Sequence, residues 1–105
     1  MNLHKIRKEF HRIAAVQGWS QLHTPNNLAQ ALAVEVGELL QAMQDIQKSP
    51  VQRTNDSDRL VSIAGEIADV QMYLLVLAES LGVDLEEAIE QKQAYNRDRF
   101  DREDT

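Results

Sequence analysis

The sequence contains no cysteine, so disulfide bonds, thiolate zinc sites and thiol catalysis are all excluded. It has only four glycines and two prolines and lacks runs of β-branched residues, a composition that favours helices over strands. Basic residues are outnumbered 11 to 17 by acidic ones, which gives a formal net charge of −6. An acidic surface argues against a nucleic-acid polymer or an anionic membrane as the partner.

Long hydrophobic runs are also missing. The longest, Met72 to Ala78, is far too short to span a membrane. The first ten residues are polar and charged and do not resemble a signal peptide, so we expect a cytoplasmic protein. A chain of 105 residues suffices for one modest core, and we predict a single domain over 1–105 with residues 101–105 as a frayed tail.

Hydrophobic periodicity predicts four helices and therefore an all-α fold. Thr24 followed by Pro25 is a helix start, and Asp84 with Glu87 three residues later is a capping box. Glycines follow the predicted ends of the first and third helices. The predicted spans are about 2–16, 24–47, 58–81 and 84–100. The first helix carries one apolar face, formed by Leu3, Ile6, Phe10, Ile13 and Ala14. The second is predicted to turn five apolar residues toward the core, namely Leu28, Leu32, Leu39, Met43 and Ile46.

The third predicted helix is apolar nearly all round. One side carries Leu60, Ile63, Ile67, Leu74 and Leu81, and much of the other is covered by Ala68, Met72, Leu75 and Val76. A helix buried on several sides in so small a chain needs a second subunit. We therefore predict a protomer resembling a four-helix bundle that assembles through its long central helices into a homodimer or homotetramer.

Two matched pairs of acids stand out, Glu35 with Glu38 and Glu66 with Asp69. A spacing of three residues puts both members of a pair on one helix face. The second pair interrupts a mostly apolar run, where each acid costs several kcal/mol unless it is compensated. If the second and third helices pack antiparallel, the four carboxylates converge. Oxygen-only ligands suit hard cations, so we expect Mg²⁺, with Mn²⁺ as a substitute.

Two other interpretations of the acidic pairs are a solvated helix face and a di-iron site. Acidic pairs at this spacing are common on solvated helix faces that bind nothing. A di-iron carboxylate bundle requires Glu-x-x-His on two helices. None of the three histidines, at positions 4, 11 and 23, lies three residues after a glutamate, so we reject that site.

Three segments together resemble a known family. The acidic pairs are separated by 27 residues, the first is preceded by WSQLHTPNNL at 19–28, and the chain closes on KQAYNRDRF at 92–100. This order resembles the MazG-like all-α nucleoside triphosphate pyrophosphohydrolases, and most closely the dCTP pyrophosphatase branch. The resemblance covers roughly residues 18–100.

The resemblance implies Mg²⁺-dependent hydrolysis of deoxynucleoside triphosphates, including dCTP, to monophosphate and pyrophosphate. It also implies dimers or dimers of dimers with sites at subunit interfaces. Glu35, Glu38, Glu66 and Asp69 would then be the catalytic metal ligands, with Glu38 a candidate base for the attacking water. Such an enzyme would serve the housekeeping of nucleotide pools.

The other segments supply candidate substrate contacts. Lys92, Asn96 and Arg99 form one stripe of the fourth helix and would offer two cations and an amide to a polyphosphate, although cations also simply favour a helix C-terminus. Trp19 and His23 precede a helix, where a base can stack or be hydrogen-bonded; a lone Trp is otherwise a core anchor. Tyr73 lies on the acid side and would contact sugar or phosphate, or else serve as an interface aromatic.

One segment departs from the family pattern. The dCTP branch carries a Trp shortly after its first acidic motif, whereas residues 41–46 here read QAMQDI and contain no aromatic. We therefore expect lower selectivity for the base of the nucleotide than in the dCTP branch. The alternative to an enzyme is a catalytically silent helical oligomer with a regulatory or assembly role, but a silent descendant would gain stability by replacing its acids with apolar residues.

Overall fold

The computed structural model describes residues 1–47 and 56–103, and the described chain is entirely helical. Four α-helices and one 3-10 turn follow in the order α1 (Leu3–Val16), the turn (Ser20–Leu22), α2 (Pro25–Gln47), α3 (Asp56–Ser80) and α4 (Leu85–Glu103). The predicted all-α fold with four helices is thereby confirmed. The 3-10 turn lies where the sequence predicted only a loop. Helix α4 continues to Glu103, past its predicted end near residue 100.

The helix ends follow from local hydrogen bonding. Thr24 caps α2, because its Oγ1 accepts a hydrogen bond from the Asn27 backbone N–H at 3.1 Å. Asp84 caps α4 in the same way, accepting from the backbone N–H of Glu87 at 3.1 Å. At the other ends, Gly18 (φ 75°) and Gly82 (φ 69°) adopt the left-handed conformation that terminates α1 and α3. These caps fix where each helix begins and thus the register of its side chains.

The core is small and is centred on α3. Helix α2 packs along α3, and α1 packs against α3 less extensively. The buried hydrophobic residues of the described chain are Ala14, Leu28, Ile63, Leu75, Val76 and Ala78. Helix α4 packs very little against the others, and only three of its described side chains (Leu85, Ala88 and Asn96) are even half-buried. Within one protomer the bundle is therefore formed by α1, α2 and α3.

Several apolar positions predicted to face the core are exposed in the protomer. Leu60, Ile67 and Leu81 on α3 are each more than half exposed, and Met43 on α2 is largely exposed. The predicted core position 46 lies outside the described side chains. The radius of gyration is 17.5 Å, whereas a compact domain of 100 residues has about 13 Å. Both the open shape and the exposed apolar side chains are consistent with the weak packing of α4, which leaves the α2–α3 pair without a fourth helix against it within the described residues.

The composition of α3 bears on the predicted absence of a membrane span. Its segment Ser57–Ser80 has a mean hydropathy of 1.6 and is long and apolar enough to cross a bilayer by those two criteria. The central helix of a water-soluble protein passes the same test. This segment also carries Glu66 and Asp69, and charged residues inside a membrane are rare and costly. The mean hydropathy of this segment is thus weak evidence for a membrane span.

We expect the apolar α2–α3 surface to bury itself against a second copy of the chain. Light scattering or sedimentation at micromolar concentration should give at least twice the 11.9 kDa mass of one chain. Val61→Glu places a charge on a side chain that is 73 % exposed in the protomer, and it should shift the protein toward monomer. Ala15→Glu adds the same charge to an exposed position of α1 and should leave the assembly intact. A well-folded wild-type monomer would refute the shared core.

Candidate functional site

Three of the four predicted acids converge where α2 packs against α3. Glu35, Glu38 and Glu66 each place a carboxylate oxygen so that the three atoms all lie within 4.8 Å of one another. We call these three residues the carboxylate cluster. Glu35 and Glu66 are half-buried, and Glu38 is exposed. The spacing of three residues on α2 and the side-by-side packing of the two helices are together sufficient to produce this arrangement.

The carboxylates in the cluster oppose one another's ionisation. Burial raises the pKa of Glu35 above its ordinary value, and the negative charges of Glu38, Asp69 and Glu66 raise it further. Burial also raises the pKa of Glu66, followed by the charges of Glu38 and Asp69. Asp69 therefore lies close enough to act on both residues, although its oxygens are not part of the tight group of three.

Two oxygen atoms in the cluster have unmet hydrogen-bonding capacity. Glu35 Oε2 and Glu66 Oε2 are both buried, and neither has a hydrogen-bond partner among the described residues. Leaving a buried acceptor unpaired costs roughly 1–3 kcal/mol, and more for a charged group. A hard divalent cation would supply what these oxygens lack, and carboxylate oxygens are the type of ligand that Mg²⁺ prefers. The cluster therefore fits a metal ion in both donor type and spacing.

A cavity of about 500 Å³ adjoins the cluster and is lined mainly by apolar and aromatic side chains. Glu35 and Asp69 reach its wall from the acid side. Trp19, His23 and Tyr73, the three predicted contacts for base and sugar, line it as well. The structure thus brings three predicted substrate residues together with two predicted metal ligands in one cavity.

Phe10 is at the centre of the aromatic wall of this cavity. Its ring meets Tyr73 edge to face, with centroids 5.2 Å apart and an interplanar angle of 84°. The same ring lies 5.5 Å from that of His23. The sequence placed Phe10 only on the core face of α1 and missed its position in the cavity, because which helix α1 meets is a tertiary property. The tertiary packing also brings Lys5, Glu9 and Met72 to this wall.

Polar atoms in the cavity are few, and two of them stand out. Tyr73 has its pKa raised by burial and then by the charges of Glu35, Asp69 and Glu38, so its hydroxyl stays protonated and can act as a donor. His23 has a buried Nδ1 with no hydrogen-bond partner among the described residues. A ligand in the cavity would thus meet stacking surfaces and these two polar groups, besides the charged side chains at the wall, which are Lys5, Glu9, Glu35 and Asp69.

The predicted stripe on α4 is not brought to this site within one protomer. Lys92, Asn96 and Arg99 line neither the cavity nor the carboxylate cluster. Lys92 Nζ lies 4.7 Å from the centroid of the Tyr95 ring, and the Arg99 guanidinium lies 5.0 Å from that of Phe100. The part assigned to this stripe in substrate binding stays a prediction.

Comparison with known proteins agrees with the resemblance in the sequence. The family model of the MazG-like family matches residues 28–105. The chain is 38 % identical over 101 residues to dCTP pyrophosphatase 1 of Rattus norvegicus and of Homo sapiens, a match that covers 93 % of this chain. The chain spans 58 % of the length of these relatives.

A solved structure points the same way. The crystal structure of a pyrophosphatase from Archaeoglobus fulgidus superimposes with a TM-score of 0.67 at 31 % sequence identity. The match covers 93 % of this chain and 88 % of that one. The family model, the relatives and the structural neighbour agree with the family resemblance and with the all-α fold, and the chain belongs to the MazG-like family.

Proposed function

We propose that this protein hydrolyses deoxynucleoside triphosphates between the α and β phosphates, giving a monophosphate and pyrophosphate. One observation carries the proposal, namely that an aromatic cavity and a carboxylate cluster share a wall at Glu35. The cavity suits a nucleoside and the cluster suits a metal–phosphate complex, so a nucleotide is the ligand that uses both. The relatives named dCTP pyrophosphatase 1 support the same reaction and make dCTP the first substrate to test.

Glu35, Glu38, Glu66 and Asp69 would hold Mg²⁺, or Mn²⁺ in its place. When bound there, the cation supplies positive charge against the phosphate oxygens and lowers the pKa of water. The carboxylates also orient the attacking water and accept its proton. Glu38 suits that task because it is exposed at the edge of the cluster, where water has access to it.

The cavity would bind the nucleoside mainly by stacking. Trp19 is 47 % exposed and would stack on a base, and the Phe10 ring packs against His23 and Tyr73 in the wall. The Tyr73 hydroxyl would donate to the sugar or a phosphate oxygen. Since few polar groups face the cavity, we propose that several bases are accepted, with dCTP a good substrate.

The proposed activity involves the oligomer because helix α4 would contribute to a site on another subunit. Its stripe of Lys92, Asn96 and Arg99 is remote from the carboxylate cluster of its own protomer, and α4 is barely packed there. We place the stripe at the phosphates of a substrate bound by a partner subunit, in a homodimer or homotetramer. The remaining parts of the proposal are a cytoplasmic location, a role in nucleotide-pool housekeeping and no binding to membranes or nucleic-acid polymers.

The alternative is a catalytically silent helical oligomer that regulates or assembles other proteins. Such a protein has no use for half-buried carboxylates whose oxygens lack hydrogen-bond partners. The presence of Glu35 Oε2 and Glu66 Oε2 in that state favours the enzyme.

Metal binding should stabilise the fold in a pH-dependent way. Because the folded-state pKa values of Glu35 and Glu66 are raised, the stability that they contribute to the metal-free protein is present at acidic pH. It is lost as the pH rises from the ordinary pKa of glutamate through the raised values. Mg²⁺ at about a hundred times its Kd should raise the Tm at pH 7.5 on the order of 10 °C. This increment should shrink toward pH 5 as protons compete for the carboxylates.

The variant Glu66→Gln tests the same Mg²⁺-dependent rise in Tm. It removes one of the mutually repelling charges, so the metal-free variant should melt at a higher temperature than metal-free wild type at pH 7.5. It should also lose most of the Mg²⁺ increment. Asp45→Asn removes an exposed acid from α2 outside the cluster and should retain the wild-type increment. Equal responses of the two variants to Mg²⁺ would rule out a metal site at the cluster.

The reaction products distinguish this activity from that of an ordinary phosphatase. Phosphorus NMR after incubation of wild type with Mg²⁺ and dCTP should show monophosphate and pyrophosphate in equimolar amounts, so the pyrophosphate signal should integrate to twice the monophosphate signal. Repeating the assay with each of the other standard deoxynucleoside triphosphates should give the same two products at comparable rates. Appearance of a nucleoside diphosphate with free phosphate would mean that the wrong bond has been assigned. Absence of turnover with every nucleotide would favour the silent oligomer.

A further inference from the structure

Arg59 occupies an unusual position on α3. It is half-buried, whereas the apolar residues that follow it, Leu60 and Val61, are 62 % and 73 % exposed. A charged side chain is thus on the packed side of the helix while its apolar neighbours face outward. Its Nη1 is buried and has no hydrogen-bond partner within residues 1–47 and 56–103. An arginine nitrogen kept from water without an acceptor lacks part of its expected environment.

Arg59 lies on the same face of α3 as the residues of the candidate site. Seven residues are close to two helical turns, so Arg59, Glu66 and Tyr73 recur along one face, and Asp69 lies beside them. The rise per residue places Arg59 about 10 Å before Glu66, and Tyr73 about 10 Å after it. The order along the face is therefore a cation, then the acids, then the aromatic cavity.

This order matches the linear order of a nucleoside triphosphate. Under the proposed function, on which this inference rests, the nucleoside occupies the cavity at Tyr73. The bond to be broken lies at the acids, so the two terminal phosphates extend along α3 away from the cavity. We infer that Arg59 binds these two phosphates, which are released together as pyrophosphate. The inference assigns a substrate contact to a residue outside the acidic motifs and outside the α4 stripe.

The chemistry explains why a cation is useful at that point. Water adds to one of the two phosphorus atoms that flank the α–β bridging oxygen, and its proton passes to a carboxylate. The bond from that phosphorus to the bridging oxygen breaks, and the bridging oxygen keeps the electron pair. In either direction of attack, the terminal two phosphates become pyrophosphate. Arg59 can hold two phosphate oxygens with one guanidinium, which stabilises charge that increases in the transition state.

A purely structural part for Arg59 is the competing explanation. Its aliphatic stem can cover apolar surface on α2, and in that case the guanidinium contributes nothing to binding. Within the described parts of the chain, Arg59 forms no ion pair with an acidic residue. Arg59→Met keeps most of the stem and removes the charge, and it therefore separates the two explanations.

The experiment measures binding of inorganic pyrophosphate and of dCMP, by calorimetry at a fixed concentration of free Mg²⁺, together with dCTP turnover. The variants are Arg59→Met, Arg59→Lys and the control Lys8→Met, which removes one positive charge from an exposed position on α1. Arg59→Met should weaken pyrophosphate binding about tenfold or more, as expected for loss of a charge-assisted contact. It should lower kcat/KM for dCTP by a similar factor while leaving dCMP affinity and Tm near wild type.

Two further variants test whether the guanidinium group and its position on α3 are both required. Arg59→Lys should recover only part of the pyrophosphate affinity, because an ammonium group cannot hold two oxygens in the planar geometry of a guanidinium. Lys8→Met should bind both ligands as wild type does. If Arg59→Met binds pyrophosphate as tightly as wild type, or loses dCMP affinity equally, the inference is overturned while the pyrophosphohydrolase activity stands. If wild type itself releases no pyrophosphate from any nucleotide, the proposed function fails instead.

Discussion

Repulsion between carboxylates held close together on α2 and α3 is the constraint on which the rest of this structure depends. Three of their oxygens lie within 4.8 Å of one another, and two buried cluster oxygens have no hydrogen-bond donor from the described chain. Packing of the two longest helices against each other is what forces this proximity. The same contact that builds most of the core therefore creates a site that is unfavourable until positive charge enters it.

The cavity is organised around this cluster by α1. Phe10 reaches across to Tyr73, and Tyr73 lies near the acids, as the effect of Glu35, Asp69 and Glu38 on its pKa shows. The aromatic wall and the acidic site are consequently connected through one side chain on α3. A ligand that displaces Tyr73 would be sensed by the acids, and a cation bound by the acids would change the preferred hydrogen bonding of Tyr73. Binding of nucleoside and binding of metal are thus expected to be coupled.

Much of this arrangement follows from local signals in the sequence. The caps at Thr24 and Asp84 and the left-handed glycines set the helix limits, and the acidic pairs mark the faces on which the cluster forms. These features depend on a few neighbouring residues, so spacing alone predicts them. Trp19, His23 and Tyr73 were predicted as substrate contacts from the family resemblance, and they do share one cavity.

The features that the sequence did not predict are tertiary. The place of Phe10 in the cavity depends on where α1 meets α3, which no local pattern encodes. Leu60 and Ile67 are exposed although they lie on the apolar face predicted for α3. Hydrophobic periodicity identifies the apolar face of a helix but does not identify what packs against it. The weak packing of α4 against the other helices was likewise not predicted, because helix caps define where a helix begins and ends but not which helix lies beside it.

The central claim is that the carboxylate cluster binds a divalent cation, and electron paramagnetic resonance of Mn²⁺ tests it most directly. Titrated into a limiting amount of Mn²⁺, the wild-type protein should suppress the sharp six-line signal of the free ion. Excess Mg²⁺ should restore that signal by competition. Glu35→Gln should leave most of the signal of free Mn²⁺ intact at the same protein concentration. Suppression by this variant as strong as that by wild type would contradict the account, as would a wild-type protein that leaves the signal unchanged.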